Sequence, residues 1–134
     1  MKKILIAGHG KFAEGLANTA EMITGTKVDY LCLYINDEDP DKIIEKYVSE
    51  VGSADRLLIF TDIIGGSVNQ KLLMYTNCPN IYLFSGTNLP MVLSAILMED
   101  DMSDNDIEEI IMEAREGIQF MNRYEVDYAL QDEL

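Results

Sequence analysis

The sequence predicts an α/β domain in which helices cover both faces of a doubly wound, mostly parallel sheet. Short apolar runs, of the kind found in strands buried on both faces, alternate along the chain with segments of helical periodicity. Glycine-rich or polar turns follow the first, third and fourth of these runs. Repeated strand–helix units form parallel sheets with right-handed crossovers, and the length of 134 residues fits one domain.

The first half of the chain contains two strand–helix units. Its predicted elements are a strand at 3–7, a helix at 12–24, a strand at 28–34 and a helix at 40–51. Gly25 follows the first helix as a stop signal. Asp39 and Pro40 are the residue types preferred at the N-cap and the first position of a helix, so they indicate where the second helix begins.

The second half continues this alternation and ends in a separable tail. Its predicted elements are a strand at 56–61, a helix at 67–75, a strand at 80–85, a helix from 89 to about 98 and a last helix that ends at 122 or 123. Ser67 and Ser103 are predicted to cap the helices that they precede. We expect one domain over 1–123, and the alternating tail at 124–134 predicts a short edge strand.

Composition limits the environment and the partners of the chain. The net charge of −14 argues against nucleic acid and anionic membranes as partners. Thirteen acidic and two basic residues follow position 98, which indicates either a solvated face or a docking surface for a basic protein. No secretory signal or membrane span is expected. Two cysteines without metal-ligand spacing and one histidine give little basis for a metal site, and the cysteine usage favours a reducing, cytoplasmic location.

The single histidine, His9, lies between two glycines where the first strand is predicted to end. Ligands bind at the carboxyl ends of the strands in open α/β sheets, and imidazole is able to accept a phosphoryl group. Asp62 follows the third strand, and a carboxylate beside the Nδ1 proton would leave Nε2 as the nucleophile. Each residue also has a structural interpretation, a backbone-bonded histidine and a turn-forming aspartate. The functional interpretation requires the first and third strands to be neighbours.

A glycine-rich loop, Gly65-Gly66-Ser67, opens the helix after the third strand. Glycines let the backbone approach an anion closely, and the free N–H groups of a helix start attract phosphoryl oxygens. Gly10 offers the same close approach beside His9. An ordinary glycine turn with a capping serine is the structural alternative. The sequence has neither the phosphate-binding loop nor the dinucleotide-binding glycine motif, so a nucleotide-binding kinase is not expected.

Four segments together resemble the IIA component of the mannose family of the bacterial sugar phosphotransferase system. They are Ile6–Leu16, Thr19–Gly25, Leu58–Ser67 and Ser85–Met91, which contain Ala-Gly-His-Gly, Thr-Ala-Glu-Met-Ile, Phe-Thr-Asp-Ile-Ile-Gly-Gly-Ser and Ser-Gly-Thr-Asn-Leu-Pro-Met. The resemblance covers about residues 1–122, with the motifs in the family's order and spacing. Each motif alone would be weak, but their combination is specific.

The resemblance implies a fold, a reaction and partners. Proteins of this family are doubly wound α/β domains that form homodimers, partly by exchanging a C-terminal antiparallel strand. The phosphocarrier HPr phosphorylates the IIA histidine, which passes the group to EIIB, and EIIB phosphorylates sugar entering through the membrane components EIIC and EIID. By this resemblance His9 is phosphorylated on Nε2, Asp62 holds Nδ1, and Gly65, Gly66 and Ser67 surround the phosphoryl group. No cofactor is implied.

The chain departs from the family pattern around the glycine loop. The family often has an aromatic residue before Gly-Gly-Ser and a Pro-Phe pair after it, where this chain has Ile63-Ile64 and Val68-Asn69. We expect these changes to alter which EIIB docks more than they alter the chemistry. Some family members continue into a fused EIIB domain, whereas here we expect EIIB to be a separate protein. Selectivity for the sugar belongs to EIIB and the membrane components.

Two other functions fit parts of the sequence. The phosphoryl-donor subunit of dihydroxyacetone kinase is related, but it typically has Ser-His-Ser where this chain has Gly8-His9-Gly10. A receiver-like signalling switch would be phosphorylated on Asp62, but receivers need an acidic pair after the first strand to bind magnesium. A regulatory relative that docks without transferring phosphate is a third alternative, which the presence of both His9 and Asp62 disfavours.

Overall fold

The structure, a computed structural model, describes residues 1–125, and within them the sheet contains four parallel strands. Its strands are β1 (Lys2–His9), β2 (Asp29–Leu33), β3 (Arg56–Thr61) and β4 (Ile81–Phe84), in the spatial order β2-β1-β3-β4. This arrangement confirms the predicted α/β fold. The predicted edge strand of the tail falls almost wholly on residues 126–134, outside the described part of the chain.

In this described part of the chain, five α-helices connect and flank the strands. They are α1 (Phe12–Thr24), α2 (Pro40–Ser49), α3 (Ser67–Leu73), α4 (Leu89–Leu97) and α5 (Asp104–Glu116), with 3₁₀ helices at Met74–Asn77 and Met121–Arg123. Asp39 caps α2 by accepting a hydrogen bond of 2.9 Å from the Asp41 N–H. Ser103 caps α5 through a reciprocal capping box with Asp106. Within residues 1–125, no helix has the length and apolar character needed to cross a membrane.

Alternate residues of the central strand enter two separate apolar cores. Ile4 and Ile6 of β1 pack with α1, α4 and α5 on one face of the sheet. Leu5 and Ala7 pack with α2 and α3 on the other face. Burial of both faces explains why β1 reads as a continuous apolar run. Helices on both faces confirm the doubly wound arrangement.

The chain reverses its direction of winding at β1, which lies between β2 and β3. α1 covers one face on the way to β2, whereas α2 and α3 cover the other face. Such a switch point opens a crevice at the carboxyl ends of the neighbouring strands β1 and β3. In the register, His9 pairs with Leu33 and Ala7 pairs with Thr61, so His9 lies between the residues that follow β2 and β3. This geometry meets the condition that the functional interpretation of His9 required.

The amino edge of the sheet anchors the start of the acidic C-terminal part. The Lys2 ammonium donates hydrogen bonds to the carbonyl oxygens of Ala95 and Ile96, at 2.7 and 3.1 Å. The Arg56 guanidinium donates to the carbonyl oxygen of Met102 at 2.5 Å. Lys2 and Arg56 begin β1 and β3. Residues 95–102 therefore lie at the end of the sheet opposite to His9.

The last helix is shorter than predicted. α5 ends at Glu116, whereas its apolar spacing predicted an end at 122 or 123. Gly117 follows, and a Cβ atom added there would lie 2.6 Å from Cγ of Pro90, so close packing against the start of α4 requires glycine. Ile118 and Met121, which the longer helix would have turned inward, are 74% and 64% exposed.

The third helix also begins differently. Gly66, with extended backbone angles, is the N-cap of α3, and Ser67 is its first helical residue rather than the predicted cap. The helix ends at Leu73 and gives way to the 3₁₀ helix Met74–Asn77, so the predicted helix at 67–75 was too long by two residues. Because Ser67 does not cap α3, its hydroxyl is available for another contact.

Candidate functional site

His9 occupies the last position of β1, at the carboxyl edge of the sheet. Its side chain is 43% exposed. The chain turns immediately after it, because Gly10 adopts a φ of +60° and donates its N–H to the carbonyl oxygen of Leu33 at 2.9 Å. A positive φ favours glycine, which explains Gly10. The imidazole is thus presented to solvent from a rigid strand end.

Asp62 binds both the backbone and the ring of His9 through one carboxylate oxygen. Oδ2 accepts hydrogen bonds from the His9 N–H at 2.8 Å and lies 2.7 Å from Nδ1. The second oxygen, Oδ1, accepts from the Ile63 N–H at 2.9 Å. Gly8 permits this approach, since a Cβ atom there would lie 3.2 Å from Oδ2 and 2.9 Å from the Phe12 ring.

Opposing effects set the protonation of Asp62. Burial raises the pKa of its carboxyl, but hydrogen bonds from the His9 backbone, the His9 ring and the Ile63 N–H lower that pKa more, so the net shift is downward. The carboxylate therefore stays ionised near neutral pH. An ionised Asp62 can only accept a proton from Nδ1, which assigns the Nδ1–H tautomer to a neutral His9 and leaves the lone pair on Nε2.

Ser67 faces the other ring nitrogen. Its hydroxyl oxygen lies 3.1 Å from Nε2 of His9. Gly66 lies against the edge of the same ring, because a Cβ atom added to it would be 3.6 Å from Cε1 of His9 and 2.7 Å from Cγ2 of Ile63. Gly65, with a φ of +74°, makes the turn that brings both residues to the ring. The predicted loop therefore reaches His9.

Tyr34 also contacts His9, although no motif in the sequence identified it as a site residue. The two rings are stacked, with their centroids 5.2 Å apart and their planes inclined by 16°. Tyr34 follows β2 directly and has a φ of +62°, which is rare for a residue other than glycine. Its position at the end of a predicted strand was the only available signal, and that signal becomes useful once β2 is known to neighbour β1.

The site thus joins the carboxyl ends of three neighbouring strands around one imidazole. The structure brings His9, Asp62, Gly66 and Ser67 into contact as predicted, while Gly10 and Gly65 form turns whose Cβ positions face open space. Between residues 1 and 125, no cluster of histidine, cysteine, aspartate and glutamate has the geometry to hold a metal ion. The arrangement suits a histidine that acts as a nucleophile through Nε2.

A family model described as "PTS system fructose IIA component", of the mannose-type EIIA family, matches residues 3–113. The chain belongs to this family. The matched segment contains every residue of the site, from His9 to Ser67, and all five helices except the last three residues of α5. Membership in the EIIA family of the sugar phosphotransferase system confirms the resemblance that the four sequence motifs carried.

Individual relatives agree with the family assignment. The mannose-specific EIIAB component of Escherichia coli K12 is 28% identical over 135 residues, an alignment that covers 94% of this chain and 41% of the relative. This EIIA chain thus spans less than half the length of that curated relative. The fructose-specific EIIA component of Bacillus subtilis 168 is 23% identical and is covered over 77% of its length, with 80% of this chain aligned.

A solved structure shares both the fold and a substantial part of the sequence. A candidate phosphoenolpyruvate-dependent sugar phosphotransferase system permease from Klebsiella pneumoniae superimposes with a TM-score of 0.85 at 33% identity, covering 91% of this EIIA chain and 92% of its own. The PTS IIA protein associated with the fucose utilization operon of Streptococcus pneumoniae superimposes with a TM-score of 0.79 at 28% identity, covering 91% and 94%.

Proposed function

We propose that this EIIA chain is a phosphocarrier of the bacterial sugar phosphotransferase system. In this proposal His9 accepts a phosphoryl group from phospho-HPr and passes it to EIIB during sugar uptake. The observation that carries the proposal is the pairing of Nδ1 with the Asp62 carboxylate at 2.7 Å, which leaves Nε2 of a 43% exposed ring as the nucleophile. The motifs and the family membership give the reaction class.

The transfer step follows from the tautomer of His9. The Nε2 lone pair forms a bond to phosphorus while the phosphorus–nitrogen bond of phospho-HPr breaks, and its electron pair returns to the donor imidazole. The proton on Nδ1 of His9 stays in place and keeps its hydrogen bond to Asp62. The phosphorylated ring carries a positive charge, which the Asp62 carboxylate balances. The same steps in reverse deliver the group to EIIB.

The glycine loop provides the surroundings for the phosphoryl oxygens. The Ser67 hydroxyl already lies 3.1 Å from Nε2, so a phosphoryl group on that nitrogen would be next to it. The first N–H groups of a helix lack intrahelical acceptors, and α3 begins at Ser67. We propose that Gly10, Gly65, Gly66 and Ser67 contact the phosphoryl group. This chemistry needs no cofactor.

A group of exposed apolar side chains around His9, the apolar collar, favours protein partners over small substrates. The collar consists of Phe12, Tyr34, Ile35, Ile63 and Ile64, which are 38%, 46%, 44%, 57% and 77% exposed. Exposed apolar residues grouped around a site are typical of interaction surfaces. We therefore propose that phospho-HPr and EIIB dock on the collar in turn, and that EIIC and EIID are reached only through EIIB.

The departures from the family pattern divide into two kinds. Ile63 and Ile64 belong to the exposed collar and are in a position to change which EIIB docks. Val68 is fully buried, and the side-chain oxygen of Asn69 accepts a hydrogen bond of 2.9 Å from the Thr61 hydroxyl. We therefore expect only Ile63 and Ile64 to affect the docking of EIIB, because Val68 and Asn69 contribute to the packing of α3.

Location, domain extent and assembly complete the proposal. We propose a cytoplasmic domain over 1–123, and the two free cysteines, Cys32 and Cys78, are compatible with a reducing compartment. We further propose a homodimer in which residues 124–134 are exchanged. Light scattering before and after removal of those residues tests the assembly, and a monomer in both cases would contradict it.

Reconstituted transfer tests the proposed function. The chain is incubated with phosphoenolpyruvate, enzyme I and HPr, and any phosphate is mapped by mass spectrometry under alkaline conditions. We expect one base-stable, acid-labile phosphate on His9, lost in His9→Ala, that moves to EIIB. A label on Asp62 would instead indicate a receiver-like switch, and transfer only to a dihydroxyacetone kinase would indicate the related donor subunit. An unlabelled, folded chain would reject phosphate carriage.

A further inference from the structure

Tyr34 covers a part of the His9 ring that no other assigned residue contacts. Asp62 and Ser67 bind the two ring nitrogens and therefore lie near the plane of the imidazole. Tyr34 stacks on the face of the ring at a centroid distance of 5.2 Å. Two edge contacts and one face contact together restrict the rotation of the ring about its side-chain bonds. The contact of Tyr34 with the face of the ring has no role in the transfer steps described above.

The backbone of Tyr34 is held in an unfavourable conformation. Its φ of +62° is the only positive value at a residue other than glycine among residues 1–125. A bulky residue in this region is strained, and such strain persists where the surroundings impose it, often at functional sites. The preceding residue, Leu33, binds Gly10 beside His9, so the strained turn is tied to the loop that carries the imidazole.

We propose that Tyr34 is a positioning residue that holds the His9 imidazole by its face and stabilises the positively charged, phosphorylated ring. This proposal rests on the proposed function, since it concerns phosphorylation of His9. The ring changes from neutral to cationic when Nε2 gains phosphorus and Nδ1 keeps its proton. The face of an aromatic ring attracts a cation, so the stack is stronger after transfer than before it.

The charged surroundings of the two rings fit this division of roles. The Asp62 carboxylate, from the end of β3, is the charged group in hydrogen-bond contact with the imidazole. The Lys71 ammonium of α3 binds Asp41 of α2 at 2.8 Å. The aromatic ring of Tyr34 is the part that stacks on His9. We therefore expect Tyr34→Phe, which keeps this ring, to keep the exchange equilibrium of the natural chain.

The test compares Tyr34→Phe with Tyr34→Asn. Asparagine tolerates a positive φ better than most residues, so Tyr34→Asn removes the aromatic face while limiting new backbone strain. Ile35→Asn is the matched control, because it removes another exposed collar side chain next to Tyr34 without removing the stack. His9 is the only histidine of the chain, so its ring signals in NMR spectra recorded at one fixed pH are unambiguous.

The expected results separate a positioning role from a docking role. A cation–aromatic contact at an exposed site stabilises the cation by an amount equivalent to a two- to five-fold change in equilibrium. In Tyr34→Asn we expect the equilibrium for phosphoryl exchange with HPr to shift about two- to five-fold toward phospho-HPr. We also expect the His9 ring signals of the unphosphorylated chain to shift, because the ring loses the stacked aromatic face. Tyr34→Phe and Ile35→Asn should keep the exchange equilibrium and the ring signals of the natural chain.

Equilibria are the decisive measurements because docking contacts change transfer rates but not the equilibrium between the free proteins. If Tyr34→Asn keeps the exchange equilibrium of the natural chain, the positioning role is overturned. The ring signals of His9 are recorded without phosphate. A natural chain that HPr fails to label therefore rejects the proposed function, while unchanged ring signals in Tyr34→Asn would overturn the stack independently.

Discussion

At the scale of single residues, the carboxylate of Asp62 governs which nitrogen of His9 reacts. Replacing Asp62 with alanine removes the partner of Nδ1, so the neutral ring then populates both tautomers and turns more freely. We expect Asp62→Ala to slow transfer from phospho-HPr by about 10²-fold or more while leaving some label on His9. Rapid-quench labelling measures this, with the exposed Asp101→Ala as the control. Full-speed transfer in Asp62→Ala would remove Asp62 from the mechanism.

The lowered pKa of Asp62 also predicts how stability depends on pH. Burial raises that pKa and the hydrogen bonds from His9 and Ile63 lower it, with a net downward shift from 3.8. A carboxyl whose pKa is lower in the folded state than in the unfolded state stabilises the protein at pH values above its unfolded-state pKa. This contribution is lost as the pH falls through its folded-state pKa. Denaturant unfolding of the natural chain and of Asp62→Asn should therefore show a stability difference at pH 5 that shrinks as the pH falls below about 4. A constant difference would contradict the assigned shift.

At the scale of elements, the start of α3 distinguishes a capping serine from a site serine. Ser67 is the first helical residue and faces Nε2 of His9, whereas Ser103 accepts a hydrogen bond from the Asp106 N–H as the cap of α5. We expect Ser67→Ala to slow transfer but to change the free energy of unfolding by less than about 0.5 kcal/mol. Ser103→Ala should cost about 1 kcal/mol and leave transfer unchanged. Urea unfolding and transfer assays on both variants test the pair, and the reverse pattern would restore Ser67 as a cap.

The helix α3 shows which features the sequence predicts and which it does not. Apolar runs and cap residues predicted the strands and the starts of α2 and α5, because those signals are local. The N-cap of α3 was misplaced by one residue, since Gly66 and Ser67 are both suitable caps and the choice depends on the contact with His9. Tyr34 was missed for a similar reason, because its stack depends on the register of β1 with β2. The end of α5 depended on packing between Gly117 and Pro90.

At the scale of the whole molecule, the distribution of acidic residues determines which of them attract a basic partner. The net charge is −14, and the segment 99–101 is entirely acidic. This segment lies at the amino edge of the sheet, because Ile96 before it and Met102 after it accept hydrogen bonds from Lys2 and Arg56. β1 has eight residues and His9 is its last one. At a rise of about 3.3 Å per residue, the strand places about 25 Å between that edge and His9. Exposed charges are screened over about 8 Å at physiological ionic strength, so we expect segment 99–101 to contribute little to docking at the site.

The acidic residues that follow β2 are in a better position to steer a partner. Asp37 and Glu38 are exposed and lie a few residues after Tyr34, at the carboxyl edge that carries the site. Replacing both with their amides should slow association with phospho-HPr several-fold at low salt and reduce the salt dependence of the rate. Replacing Asp100 and Asp101 with asparagine is the matched control, with the same change in net charge, and should leave the rate unchanged. Stopped-flow transfer rates compare the two double variants between 0.05 and 0.5 M salt. Over this range the Debye length falls from about 14 Å to about 4 Å. Equal effects of both pairs would mean that total charge, rather than its placement at the carboxyl edge, attracts the donor.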